Sequence, residues 1–186
     1  MAEPLSLELA GESVELHADR ALHWPARRRL VIADLHLGKA DTFRRAGIAL
    51  PSGGTVHDLD RVDTLLRATG ATQLWVLGDM LHGDPAPPRW REGWDDFRAR
   101  WPALETVVVA GNHDRALRRA GLGVHVEDQA VHDGPFVFRH EPDPDPRGLV
   151  LCGHVHPVVR APGILRRRFP AFRGLPASRP DGQPER

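Results

Sequence analysis

Residues 107–114 read VVVAGNHD. Small and β-branched apolar residues in an unbroken run fit a strand buried on both faces, and the glycine that follows lets the chain turn sharply. An amide, an imidazole and a carboxylate then stand in a row at the strand's end. LVIADLHLG (30–38), LWVLGDMLHG (74–83) and LVLCGHVH (149–156) repeat the pattern, each running from an apolar strand into Asp, Asn or His.

Between these strands the periodicity changes. HDLDRVDTLLRATG (57–70) spaces Leu59, Val62, Leu65 and Leu66 along one helical face, with Gly70 as a C-cap. PRWREGWDDFRARW (88–101) does the same with Trp90, Trp94, Phe97 and Trp101, and Pro102 discourages continuation. At helical spacing beside a sheet these aromatics read as core rather than as a platform for stacking bases. Strand, helix, strand, helix, strand points to a parallel sheet. Upstream, LSLELAGESVELHADRAL alternates about a turn at Gly11–Glu12, a hairpin edge. Beyond Gly123 the short, turn-punctuated runs VHVEDQ, AVHDGPFVFRHE, GLVLCGHVH and PVVR predict a second, mixed or antiparallel sheet. The expectation is an α/β fold, a two-sheet β-sandwich flanked by helices (αββα), in a single domain over residues 1–160. The Pro- and Arg-rich remainder, 161–186, is expected to be disordered, because it offers too little apolar surface to offset its ordering entropy.

The chain's 186 residues, 41% hydrophobic and 27% charged, fit one soluble domain with a sizeable core. Lys plus Arg and Asp plus Glu both number 25, which argues against non-specific coating of nucleic acid but not against local phosphate recognition by bound cations. The single cysteine, Cys152, rules out an internal disulfide and reads as a core thiol. Neither a membrane-spanning run nor a signal peptide is legible, so a cytoplasmic location is expected.

Ligands of open α/β sheets bind beyond the carboxyl ends of the strands. Here those ends carry Asp34 and His36, Asp79 and His82, Asn112, His113 and Asp114, and then His140, His154 and His156. Each fragment alone has a bland reading as a turn or a surface histidine. Together, the D-x-H, G-D-x-x-H, G-N-H-D, R-H-E-P and G-H-x-H series supplies mixed nitrogen and oxygen donors of the kind Mn, Fe, Zn or Ni accepts, in numbers that fit two ions rather than one. On an extended chain, Asp34 and His36 would point to one side.

This ordered series resembles the calcineurin-like metallophosphoesterase superfamily over residues 5–160. The resemblance implies that Asp34, His36 and His156 hold one divalent ion, that Asn112, His140 and His154 hold the second, and that Asp79 bridges them. It further implies phosphoester hydrolysis, with His113 serving the leaving group and Asp114 orienting or charge-stabilising His113. The metal expected first is manganese. His82 stands where many members carry an acidic residue, as a partner behind the ligands or as an unpaired polar group.

DLHLGKADTFRRAGIALPSGG (34–54), followed by the Trp-rich helix, RHEPDP and CGHVHP, is similar to the ligase-associated DNA damage response endonuclease family. That likeness implies a bacterial DNA phosphodiesterase working beside an ATP-dependent DNA ligase, a helicase and an exonuclease. Lys39, Arg44, Arg45 and His57 would put cationic groups where they can grip a phosphate backbone, although a helix with solvated arginines is the plainer reading. Family members continue past G-H-x-H with further strands, whereas here Val158–Arg160 run into the Pro/Arg tail, which predicts an incomplete second sheet. Two rivals stand beside the DNA reading: a small-molecule phosphodiesterase or pyrophosphatase acting on a cyclic nucleotide or nucleotide sugar, and an inactive scaffold on the same fold, which would have lost its ligands.

Overall fold

In the computed structural model of the chain, residues 2–48, 54–82, 88–160 and 168–170 are described. A seven-stranded sheet is ordered β1 (Leu5–Leu9), β2 (Glu12–His17), β3 (Ala21–Trp24), β4 (Arg29–Ile32), β5 (Gln73–Leu77), β6 (Glu105–Val109), β7 (His125–Glu127). β1 to β4 pair antiparallel, and β4 to β7 pair parallel. The first turn is Ala10–Gly11, both left-handed, one residue earlier than expected; this geometry matches the right-handed twist of the flanking strands. β7 also corrects the expectation. VHVEDQ joins the first sheet, parallel to β6, because the turn of 3-10 helix over Asp114–Ala120 carries the chain across without a long helix.

The second sheet is ordered β10 (Leu149–Cys152), β9 (Phe136–Arg139), β8 (Val131–Asp133), mixed as predicted: β9 is parallel to β10 and antiparallel to β8. β11 (Val158–Arg160) does not extend it. It pairs instead with β12 (Arg168–Pro170), three residues of the tail, which satisfies backbone groups that β11 would otherwise expose. The rest of the tail, 161–167 and 171–186, lies outside the described residues.

Alternation along the strands of the first sheet builds two cores. Val14, Leu22, Trp24, Val31, Trp75, Leu77, Val107 and Val109 face the second sheet and pack on Phe136 and Phe138. Trp24 meets Phe136 edge-on at 4.9 Å, an arrangement the ring quadrupoles favour. Leu30, Ile32, Leu74, Val76 and Val108 face the other way, against α2 (Gly54–Thr69) and α3 (Pro88–Arg100). The predicted helical stripes are the buried ones: Leu59, Val62, Leu65 and Leu66 on α2, and Trp90, Trp94 and Phe97 on α3, with Trp101 partly buried against them. Arg29 crosses between the layers. Its guanidinium lies 4.0 Å from the centre of the Trp75 ring and 2.8 Å from Asp133, so a buried charge is both stacked and paired. No helix of the described residues is long and apolar enough to cross a membrane.

Asp63 fastens α2 to the end of α3, accepting from Arg67 Nε and from Trp101 Nε1, each at 2.8 Å. Chiefly the Arg67 bond holds its carboxyl below the ordinary range. A depressed carboxylate contributes stability above its unfolded pKa, which is lost as pH falls through the folded value. Asp63→Asn is therefore expected to cost about 1 kcal/mol near neutral pH and progressively less as the pH falls below about 4, measured as paired urea unfolding curves.

Candidate metal centre

Parallel register brings the strand ends level: Ile32 pairs with Val76, Val76 with Val108, and Leu77 with Val109. The loops beyond them are then tied together by their backbones. The Asp34 N–H donates to Gly78 O at 3.1 Å, and the His36 N–H to Asp79 O at 2.8 Å. Asp34 and His36 are not extended, as their spacing had suggested. Both are left-handed, as are Asp79, His154 and His156. Five of the seven expected ligands thus sit in a backbone region costly for residues with a Cβ, a strain that concentrates at functional sites and persists where surrounding contacts hold it.

The side chains form two overlapping groups with donor atoms within 4.8 Å of one another: Asp34, His36 and His156, and Asp34, Asp79 and His140. Asn112 and His154 close on the second group, with Asn112 Oδ1 3.0 Å and His154 Nδ1 3.1 Å from His140 Nε2. Asp79 is buried, and its Oδ1 lies 3.7 Å from His140 Nε2 while accepting the His113 N–H at 3.0 Å. All seven expected ligands converge.

The donor chemistry fits divalent ions. His140 Nδ1 faces Leu77 O at 3.1 Å, and a carbonyl can only accept, so Nδ1 carries the proton and the Nε2 lone pair points at Asn112, His154 and Asp79. Both ring nitrogens of His36 are buried without a hydrogen-bond partner among the described residues. Such orphaned groups are costly in a protein interior unless something else satisfies them. Burial, with Lys39 adding repulsion, lowers the His36 pKa to about 4, keeping the imidazole neutral and free to ligate. Burial also pushes the Asp34 carboxyl upward against the pull of His156, as desolvation does to any carboxylate.

Asp114 was expected beside the His113 ring. Its carboxylate is buried and accepts the Leu81 and Gly111 N–H groups, each at 2.9 Å, bracing the two motif loops, and among the described residues no hydrogen bond joins it to the His113 ring. Adjacent residues in a turn diverge, and the backbone donors lie on the inner side. His113 is exposed at the rim, its ring 4.8 Å from that of His82 and 5.6 Å from that of His36. His82 is thus a neighbour of both, its Nδ1 buried without a partner among the described residues, and burial lowers its pKa. Phe43 stacks on His82 at 6.0 Å, a contact not anticipated, although its place one turn beyond Lys39 on α1 (Lys39–Arg45) held the signal. Lys39 and Arg45 are exposed on that helix, whereas Arg44 is paired with Asp41. His57 is exposed on α2, and Cys152 is half-buried at the end of β10.

Gly78 has φ +77, and a Cβ there would stand 2.0 Å from His140 Nδ1. Gly78→Ala should displace His140, cost about 2 kcal/mol or more, and shrink the rise in melting temperature on adding Mn²⁺, read by thermal unfolding with and without the ion. Asp114→Asn turns an amide NH₂ toward a backbone N–H and should cost about 1–3 kcal/mol while leaving the pH profile of phosphoester hydrolysis in place. A shifted profile would restore a direct role beside His113.

The profile described as calcineurin-like phosphoesterase matches residues 27–143. A crystal structure of Pseudomonas putida nuclease MPE is similar at 38% identity and a TM-score of 0.77, over 90% of this chain and 80% of that one. A protein of unknown function, AQ665 from Aquifex aeolicus, aligns at 20% identity and a TM-score of 0.42 over 63% of this chain and 62% of that one, too slight a likeness to inform fold or function. No curated protein matches. Over most of its length, and through the fold that assembles its donor groups, the chain belongs to the calcineurin-like phosphoesterase family, whose members are metal-dependent hydrolases.

Proposed function

We propose that the protein is a two-metal DNA phosphodiesterase, an endonuclease of a bacterial repair system that also employs an ATP-dependent DNA ligase, a helicase and an exonuclease in the cytoplasm. The convergence of Asp34, His36, Asp79, Asn112, His140, His154 and His156 at one rim supports this reading above all. Their completeness disfavours an inactive scaffold. The 38% identity to a nuclease favours a nucleic-acid substrate over a cyclic nucleotide or nucleotide sugar.

In this proposal Asp34, His36 and His156 would hold one divalent ion, Asn112, His140 and His154 would hold the other, and Asp79 would serve both. Asp79's burial and its Coulombic coupling to Asp34 and His36, together with its approach to His140, suit that place. The ions, manganese first among Mn, Fe, Zn and Ni, would neutralise phosphoryl oxygens and make water nucleophilic near neutral pH. The chain supplies the rest. The Asp79 carboxylate fixes the His113 backbone and leaves the ring exposed at the rim, where it would give a proton to the departing 3′ or 5′ oxygen. Exposed Lys39 and Arg45 on α1, beside His36, would hold the flanking phosphates.

The test is hydrolysis of circular single-stranded DNA with Mn²⁺ present or withheld. The parent protein should linearise the circle only with the ion, Asp79→Ala should be inert, and His113→Ala should be slower by about 10²–10⁴. A circle left intact while a small phosphodiester is hydrolysed would transfer the assignment to small nucleotides.

A further inference from the structure

Outside the rim a second set of donors is gathered on β2 and β3. Glu15 and His17 are two residues apart on β2, and Glu15 stands opposite His23 in the antiparallel ladder. All three therefore share one face. Val14, Leu22 and Trp24 occupy the other face, toward the second sheet, so the trio looks toward the helix layer along with Ala21. Glu15 Oε2 lies 2.8 Å from His23 Nδ1 and 3.7 Å from His17 Nε2, and all three donor atoms fall within 4.8 Å of one another.

Burial of the two histidines distinguishes this group from an ordinary surface cluster, with Glu15 partly exposed beside them. The side chains of His17 and His23 are each only 7% exposed. His17 Nε2 is inaccessible to solvent and has no hydrogen-bond partner among the described residues, although it is aimed at the Glu15 carboxylate. The two imidazole rings stand 6.4 Å apart, inclined at 61°, so they converge on the carboxylate instead of stacking. Donors bound tetrahedrally to zinc at about 2.0–2.1 Å stand roughly 3.3–3.5 Å from one another; the 3.7 Å separation of Glu15 and His17 is near that spacing, whereas Glu15 and His23 at 2.8 Å are hydrogen-bonded, a contact the ion would replace. Arg61 on α2 is engaged elsewhere: it donates to Asp19 O and pairs with Asp58.

We propose that Glu15, His17 and His23 form a third metal site, separate from the rim, which binds one zinc-type divalent ion through two imidazoles and a carboxylate and fastens β2 to β3. Two nitrogens and one oxygen suit zinc over magnesium or calcium, which prefer oxygen alone. His17 Nε2 gains as a metal ligand the partner it otherwise lacks. The remaining position is left for water. The site needs no substrate and no rim ligand, so it stands or falls independently of the DNA reading.

Full-length protein, stripped with chelator and re-equilibrated with a slight excess of Zn²⁺, is desalted, and its zinc is counted by elemental analysis. Glu15→Gln is expected to retain one ion per chain fewer than the parent, and His17→Gln the same, with near-ultraviolet circular dichroism verifying the fold. A variant with the rim disabled, Asp34→Asn with Asp79→Asn and His154→Ala, should keep one ion, which Glu15→Gln then removes. Cobalt in that background should give the visible absorption of a low-coordinate nitrogen and oxygen site. Equal zinc counts in the parent and Glu15→Gln proteins, or none in the folded rim-disabled variant, would overturn the proposal.

Discussion

Leu77 O is the point at which the two sheets are locked together. It faces His140 Nδ1 at 3.1 Å, and a Cβ on Gly153 would come within 2.4 Å of it, so the loops after β9 and β10 close down on the end of β5. That contact sets the tautomer of His140 and brings the second sheet's histidines over the first sheet's carboxylates. The donor set belongs to neither sheet alone. The parallel register of β4, β5 and β6 levels the first half of the site, and the Leu77 carbonyl joins the second half to it.

Strain and burial at the rim tell one story. Five expected ligands adopt left-handed backbone, His36 leaves both ring nitrogens without a partner among the described residues, and burial pushes the Asp34 carboxyl upward. A rim that merely ended strands would relax these costs with extended backbone and solvent hydrogen bonds. Here packing of the loops on one another holds the residues in place, including the Asp114 brace between Leu81 and Gly111. The geometry of the donor set thus rests on the stability of the two cores beneath it. The buried Trp24 with Phe136, and the stacked and paired Arg29, are parts of that support.

The local code of the chain was readable because it is periodic. Leu59, Val62, Leu65 and Leu66, and Trp90, Trp94 and Phe97, announced their helices by spacing and proved to be core; the apolar runs into Asp, Asn and His announced strands whose ends carry the clustered donors. Short elements were harder. VHVEDQ looks like any edge strand, and only its pairing with β6 assigns it to the first sheet; Arg168–Pro170 has no strand periodicity and pairs with β11 through backbone groups that carry no sequence signature.

By itself, the sequence determined which residues could be donors and in what order the strands deliver them, since identity and spacing are local properties. Tertiary structure decided what each donor meets. Asp114, next to His113 in the chain, turns inward to backbone amides, and Asp34 and His36 reach the rim through left-handed turns rather than an extended strand. Glu15, His17 and His23 look like ordinary alternation in a hairpin until the β2–β3 register and the helix layer bury them against each other. Direction and burial depend on contacts between segments far apart in the chain, and those arise only once both sheets have closed.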